Sequence, residues 1–383
     1  MEGGSLLSQG GYGCVFTPSI NCQGIEHSKD FISKIQKNDF SARNEIFVGD
    51  LIKKKKNYNH FFAPVISSCP INISKIKTKG LDECSIITNN THEESFIMMK
   101  IKFIAGSVLS SFITENKNSA LVFSSFANIY LQLLKSIKIL IQEKVVHFDL
   151  KGLNIVYDKI NEKPIIIDFG LSIPIEKLLK TEEYYHYFYI YAPDYYIWPL
   201  EVHYLNYIEN IEDDPTLDNI KSLVNDFVNS NSALNKLSHA FQDKYKKKSV
   251  SVLSQYLDKP SRKVKLEILK YWNTWDNYSI SIMYLKYIDI LFGNDPQIEN
   301  NNYIKFMIKT MLQNIHPDPT KRIDITSNIR IMENFSYDLG SDNLNQFEEL
   351  LKEISINKTQ IDKKTLTNQK SMSRLTKKIL SKR

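Results

Sequence analysis

Val145-Val146-His147-Phe148-Asp149-Leu150-Lys151-Gly152-Leu153-Asn154, followed by Ile165-Ile166-Ile167-Asp168-Phe169-Gly170, is the stretch on which the fold turns. Residues 154–157 and 164–167 read as two short strands. A turn spans Asp149 to Asn154, and the hairpin of those strands brings Asp168 back beside it. Asp149, Lys151, Asn154 and Asp168 can therefore meet in one cleft. Taken singly, each has a plainer reading, since an Asp or Asn in a turn most often caps local backbone and His147 reads as a packed core histidine. The information lies in the combination at fixed offsets.

Upstream, residues 125–144 place Ile129, Leu133, Leu134, Ile137, Leu140 and Ile141 at helical spacing. Before that helix the chain is rich in strands. LLSQGGYGCVFTP reads as two strands around a glycine turn, KDFISKIQK as a strand carrying Lys34, and residues 95–104 as a buried strand. Residues 41–54 read as a helix started by Ser41 and carrying Glu45, and residues 107–116 begin another. From Asn273 onward the pattern is helical almost throughout. Strands first and helices afterwards predict an α+β, two-lobed molecule with a cleft between the lobes.

The chain has 383 residues, 42% of them hydrophobic, which suffices for two lobes with their own cores and excludes a peptide hormone or a disulfide miniprotein. Its net charge of +6 is carried by the end of the chain. Residues 355–383 hold nine Lys/Arg against Asp362 alone. The body is therefore not a broad polyanion-binding surface, and the tail is either a solvated extension or a docking segment for an anionic partner. Cys14, Cys22, Cys69 and Cys84 form no C-x-x-C pair and stand at no zinc-site spacing from a histidine. A disulfide framework is not expected, and a reducing compartment is. Residues 1–13 lack the features of a secretion signal, and no window approaches the ~18 apolar residues of a membrane span. These absences predict a soluble, cytoplasmic chain.

H-x-D-L-K-x-x-N followed by D-F-G resembles the catalytic and metal-binding loops of eukaryotic-type protein kinases. The resemblance implies phosphoryl transfer from ATP to protein substrates, with Mg²⁺ or Mn²⁺ as the ion. Asp149 would stand beside the acceptor hydroxyl, Lys151 at the moving phosphoryl, and Asn154 and Asp168 on the metal. Ser8-Gln9-Gly10-Gly11-Tyr12-Gly13-Cys14-Val15 is similar to the glycine-rich loop of that family, with Ser8 in place of its first glycine. There Gly10 and Gly13 would let backbone approach the phosphates beside Gly11, Tyr12 would form the tip, and Val15 would lie against adenine. Lys34 matches the strand lysine that contacts phosphates, and Glu45 is its expected helix partner ahead of Asp50. Met98 or Met99 is expected at the rear of the adenine pocket.

The resemblance extends to about residue 335. Trp198-Pro199-Leu200-Glu201 stands in the place of A-P-E, and Arg322 of Pro317-Asp318-Pro319-Thr320-Lys321-Arg322 is expected to pair with Glu201. Asp276, in Asp276-Asn277-Tyr278-Ser279, is expected to hold the catalytic-loop backbone. This apparatus separates protein kinases from small-molecule phosphotransferases. The implied organisation is a β-rich N-lobe at 1–104, a larger helical C-lobe at 105–340 and a helical, basic tail at 341–383. The C-lobe carries an insertion at about 202–270, with helices near 216–228 and 249–269 and a solvated charge run at 244–249.

Asp149-Leu150-Lys151 followed by Asn154 favours serine and threonine as acceptors. The insertion and the altered A-P-E segment are similar to divergent kinases of large cytoplasmic DNA viruses, which would place the chain in host cytoplasm or virion. Phe148 stands where most kinases carry arginine, and a phenyl ring cannot pair with a loop phosphate. It is expected to pack instead against the aromatic-rich loop that contains Tyr184, Tyr185, Tyr187, Phe188, Tyr189 and Tyr191.

Overall fold

The computed structural model describes residues 4–10, 13–20, 28–76, 80–88, 95–117, 120–292 and 301–338. Gly11, Tyr12, Cys22 and the basic tail lie outside them. The N-terminal region runs β1 (Ser5–Gln9), β2 (Gly13–Thr17), β3 (Phe31–Lys37), α1 (Phe40–Lys53), β4 (Val65–Ile71), α2 (Ser85–Thr88) and β5 (Phe96–Lys102). Its five strands form one antiparallel sheet in the order β1-β2-β3-β5-β4. The two-residue period of a strand sorts β3 into two faces. Ile35 joins Cys14, Phe16, Cys69, Cys84, Phe96 and Met98 in one apolar core, while its neighbour Lys34 sits between Val15 and Met99 on the opposite face. Helix α1 begins at Phe40, and its cap lies two residues ahead of Ser41, because Asp39 accepts from Ala42 N at 3.0 Å.

The C-terminal part follows as β6 (Gly106–Val108), α3 (Leu109–Glu115), α4 (Ala120–Gln142), β7 (Val145–Val146), β8 (Ile155–Asp158), β9 (Lys163–Ile166), β10 (Ile173–Pro174) and α5 (Ile175–Thr181). Then come α6 (Leu200–Asn210), α7 (Leu217–Ser230), α8 (His239–Ser254), α9 (Ser261–Leu269), α10 (Trp275–Phe292), α11 (Asn302–Asn314) and α12 (Ile325–Asp338). The apolar stripe of α4 is buried with α10 in the main core, which extends through Phe62 and Phe169 to Val48 and Ile52 of α1. A backbone bridge also ties the two parts, with Ala63 N donating to Ile166 O at 3.0 Å and Ile166 N to Phe61 O at 2.9 Å. The result is the expected bilobal kinase-like fold, a β-rich N-terminal region beside a helical C-terminal part. Among the described residues no helix is long and apolar enough to cross a membrane.

One expectation needs correction and another needs an addition. Cys14 and Cys84 form a disulfide with Cα atoms 6.0 Å apart, Cys69 is also disulfide-bonded, and among the described residues there is no free thiol. Short-range spacing rules detect cysteines that are neighbours in sequence; these two are 70 residues apart and are brought together by the sheet. Cysteine usage therefore gives no support to a reducing compartment. The lysine run at 244–249 is part of α8, whose stripe of Tyr245, Ser249 and Leu253 is buried. Tyr245 Oη donates to Ile315 O at 2.8 Å, so the run belongs to a packed helix with its lysines on the outer side.

Candidate active site

The loop after β7 is fixed by its backbone. His147 N and Phe148 N donate to the two carboxylate oxygens of buried Asp276 at 2.7 and 3.0 Å. Phe148 adopts φ 69°, a left-handed conformation that costs a non-glycine residue about 1–3 kcal/mol unless its surroundings enforce it. Here they do, since the Phe148 carbonyl also accepts from Trp198 Nε1 at 2.7 Å. Burial pushes the Asp276 carboxyl up, against the pull of His147 and the two N–H donors. His147 is buried against Phe169, with Nε2 at 3.0 Å from Ile167 O, as its packing role predicts.

This strained turn presents Asp149. Asn154 Nδ2 donates to Asp149 O at 2.9 Å and to Asp149 Oδ2 at 2.8 Å, and Lys151 Nζ donates to Oδ2 at 3.0 Å. Gly152 is required between them, because a Cβ there would lie 2.0 Å from Tyr287 Oη. Ile167 N donates to Asn154 O at 2.9 Å, which sets the segment bearing Asp168 directly against the loop.

Lys34 joins the N-terminal sheet to this cluster. Its Nζ lies 2.7 Å from Glu45 Oε2 and 2.9 Å from Asp168 Oδ1. Asp50, the alternative partner, is instead paired with Lys53. Burial opposes the Lys34 ammonium, but Glu45 and Asp168 outweigh it and hold its pKa above the ordinary lysine value. Burial pushes Glu45 up to about 7 despite Lys34. Burial pushes the Asp168 carboxyl up, but the charge and hydrogen bond of Lys34, together with His147 and the Gly170 N–H, outweigh it and draw the group below the usual carboxylate range. Helix α1 is kept in position by Asn44 Nδ2, which donates to Gly170 O at 3.2 Å and to Ser172 O at 2.7 Å.

Val15, Lys34 and Met99 share a face of the sheet. Met98 lies on the other face, in the core with Ile35, so Met99 alone of the pair is on the side of Lys34. Ser8 is exposed and pairs with Val15. Gly10 N donates across the turn to Gly13 O at 2.9 Å. A Cβ on Gly13 would meet Ile35 O at 2.9 Å, so a glycine is needed for the close approach of β2 to β3. Gly11 and Tyr12 fall outside the described residues.

A divalent ion fits these donors. Asp168 is two-fifths exposed at its side chain, and Asn154, with its N–H groups spent on Asp149, retains a carbonyl oxygen; both are hard oxygen donors of the kind Mg²⁺ prefers. Among the described residues no group of three or more His, Cys, Asp or Glu could hold a metal without further ligands. The remaining ligands would come from nucleotide phosphates and water.

The segment beyond Asp168 is fixed at several points. Arg322 forms two parallel bonds to Glu201, Nη1 to Oε1 at 2.6 Å and Nη2 to Oε2 at 2.8 Å, with both side chains buried. Ser279 Oγ donates to Ile197 O at 2.8 Å. Phe148 stacks on Trp198 at 4.8 Å and meets Phe188 edge-on at 5.7 Å; Trp198 is a partner that the aromatic composition of the loop did not indicate. The inserted helices touch the same segment, with Arg262 of α9 donating to both carboxylate oxygens of Glu182 at 2.9 and 2.7 Å. Tyr195 was also missed. Its hydroxyl donates to Asp149 Oδ1 and accepts from Lys151 Nζ at 3.0 Å, and no short-range motif marks it among the loop's many tyrosines.

Residues 77–196 match the family model of the protein kinase domain. The matched span holds Asp149, Lys151, Asn154 and Asp168 and leaves out Lys34 and Glu45. The chain is protein-kinase-like over this region. Comparison with curated proteins gave no match.

Proposed function

We propose that the chain is an ATP-dependent protein kinase that transfers the γ-phosphate to serine and threonine hydroxyls of protein substrates. The observation that carries this reading is a pair of clusters, Lys34 with Glu45 and Asp168, and Asp149 with Lys151 and Asn154, on segments tied by the bond from Ile167 N to Asn154 O. Mg²⁺-ATP, or its Mn²⁺ complex, would supply the activated phosphoryl group, with Asp168 and Asn154 holding the ion. Lys34 binds nucleotide phosphates, and Glu45 keeps its ammonium in place. Asp149 orients the acceptor hydroxyl and takes its proton, while Lys151 stands beside the moving phosphoryl. Asp149-Leu150-Lys151 with Asn154 supports Ser/Thr as the acceptor class. The presence of Lys34, Asp149, Asn154 and Asp168 together supports an enzyme that turns over rather than a nucleotide-binding scaffold.

The test is transfer from γ-labelled ATP to a mixed protein acceptor, followed by identification of the phosphorylated amino acid. Asp149→Asn is expected to lose about two or more orders of magnitude in turnover with nucleotide affinity retained. Asp168→Asn is expected to weaken the metal-nucleotide complex as well. Nucleotide binding without transfer by the wild-type chain would replace this reading with a scaffold, and phosphotyrosine as sole product would overturn the acceptor assignment.

A further inference from the structure

We infer that Tyr195 is a positioning residue for the transfer step, its hydroxyl fixing Asp149 and Lys151 relative to each other where the acceptor must meet them. This rests on the kinase reading above and adds a residue to it. Asp149 is nearly buried; Asn154 orients its Oδ2 side, and Tyr195 donates to Oδ1. Lys151 is a point charge on a flexible stem, and one acceptor leaves its position loosely defined. Tyr195 Oη supplies a second acceptor at 3.0 Å. One hydroxyl thus donates to the carboxylate and accepts from the ammonium, a pairing that neither a methyl group nor a lysine could supply.

The phenol is brought to this place by the loop itself. Its ring meets Trp198 edge-on at 4.7 Å, and Trp198 both stacks on Phe148 and donates to the Phe148 carbonyl. Phe148, Trp198, Tyr195 and Asp149 therefore form a continuous set of contacts in which no member is a phosphate. The placement of the loop is transmitted to the catalytic carboxylate through a hydroxyl, and the arrangement is set before any acceptor arrives.

Tyr195→Phe removes only the oxygen and keeps the ring against Trp198. The expected result is a fall in kcat of about 10–100-fold, with acceptor KM, the Kd of Mg²⁺-ADP and the thermal midpoint changed little. Because Tyr195 and Lys151 act as one unit, adding Tyr195→Phe to Lys151→Ala should slow that variant by less than about threefold. An unchanged kcat, a rise confined to acceptor KM, or losses that multiply fully in the double variant would each overturn the inference. A wild-type chain that transfers nothing would remove the kinase reading beneath it. That result is distinct from an active wild type matched by its phenylalanine variant.

Discussion

The loop between Asp168 and α6 is held by two attachments of opposite character. At its end, Glu201 and Arg322 bury a bidentate ion pair; further in, Phe148 seats Trp198 and Phe188 by uncharged contacts, ring packing and the hydrogen bond from the Trp198 indole to the Phe148 carbonyl. A buried ion pair binds its members to each other, because loss of one leaves an unpaired charge in a medium that cannot solvate it. The aromatic seat carries no such obligation and has no charge to be switched. The first attachment secures the loop as architecture, while the second is an uncharged contact with no cation that a phosphate could engage.

The largest effect should come from breaking the ionic attachment. Arg322→Ala is expected to lower stability by about 3–5 kcal/mol, because Glu201 is left buried without its partner. Urea unfolding measures this, and a loss under 1 kcal/mol would show that water reaches the glutamate.

A covalent attachment ranks next. Cys14→Ser should cost about 2–4 kcal/mol, with no further loss on adding a reductant that acts on the Cys14–Cys84 bond alone. Comparison of melting with and without reductant tests it, provided Cys69 is followed by thiol mapping.

The pH dependence sharpens the contrast in the nucleotide half. Burial raises Glu45 to about 7, and its ionised form completes the pair with Lys34. The rate at limiting ATP should fall on the acid side with a limb near pH 7, and Glu45→Gln should flatten that limb. Stability follows the opposite sign. The folded chain holds this proton more tightly than the unfolded one, so the contribution of protonated Glu45 is lost as pH rises from about 4.5 through 7.

The aromatic seat predicts a null effect. Phosphatase-treated protein, with loss of phosphate confirmed by mass spectrometry, should reach its full initial rate without a lag. A lag abolished by prior autophosphorylation at Thr181 or a loop tyrosine would show that another cation serves a phosphate switch. Removal of residues beyond 350 should change the rate least, while abolishing salt-sensitive binding to anionic surfaces. Equal binding by both forms would leave the tail without that role.

Much of the arrangement was legible where it is local. Asp149, Lys151 and Asn154 are fixed by offsets within a turn, and α4 by a stripe that recurs each turn. Glu45 could be preferred to Asp50 because the aspartate side chain has the shorter reach toward Lys34. What escaped depends on distant parts of the chain. Tyr195 reaches Asp149 only because Trp198 is anchored on Phe148. β4 was hidden by Ser67, Ser68 and Pro70, which a strand at the sheet edge can accommodate. The first part of α8, before residue 249, was hidden because its buried stripe is narrow and its other faces are dominated by lysine and polar residues.

The Cys14–Cys84 bond closes the backbone into a loop that contains Lys34 and Glu45 but excludes Asp149. Oxidation therefore divides the molecule topologically, turning Lys34 and its partner Glu45 into members of a macrocycle while Asp149 remains outside it. With the bond open, the same sequence would place two thiols in the core beneath β2 and β3. Preparations made with and without reductant are thus distinct covalent compounds, and opening the Cys14–Cys84 bond changes the connectivity of the part of the chain that carries Lys34 and Glu45.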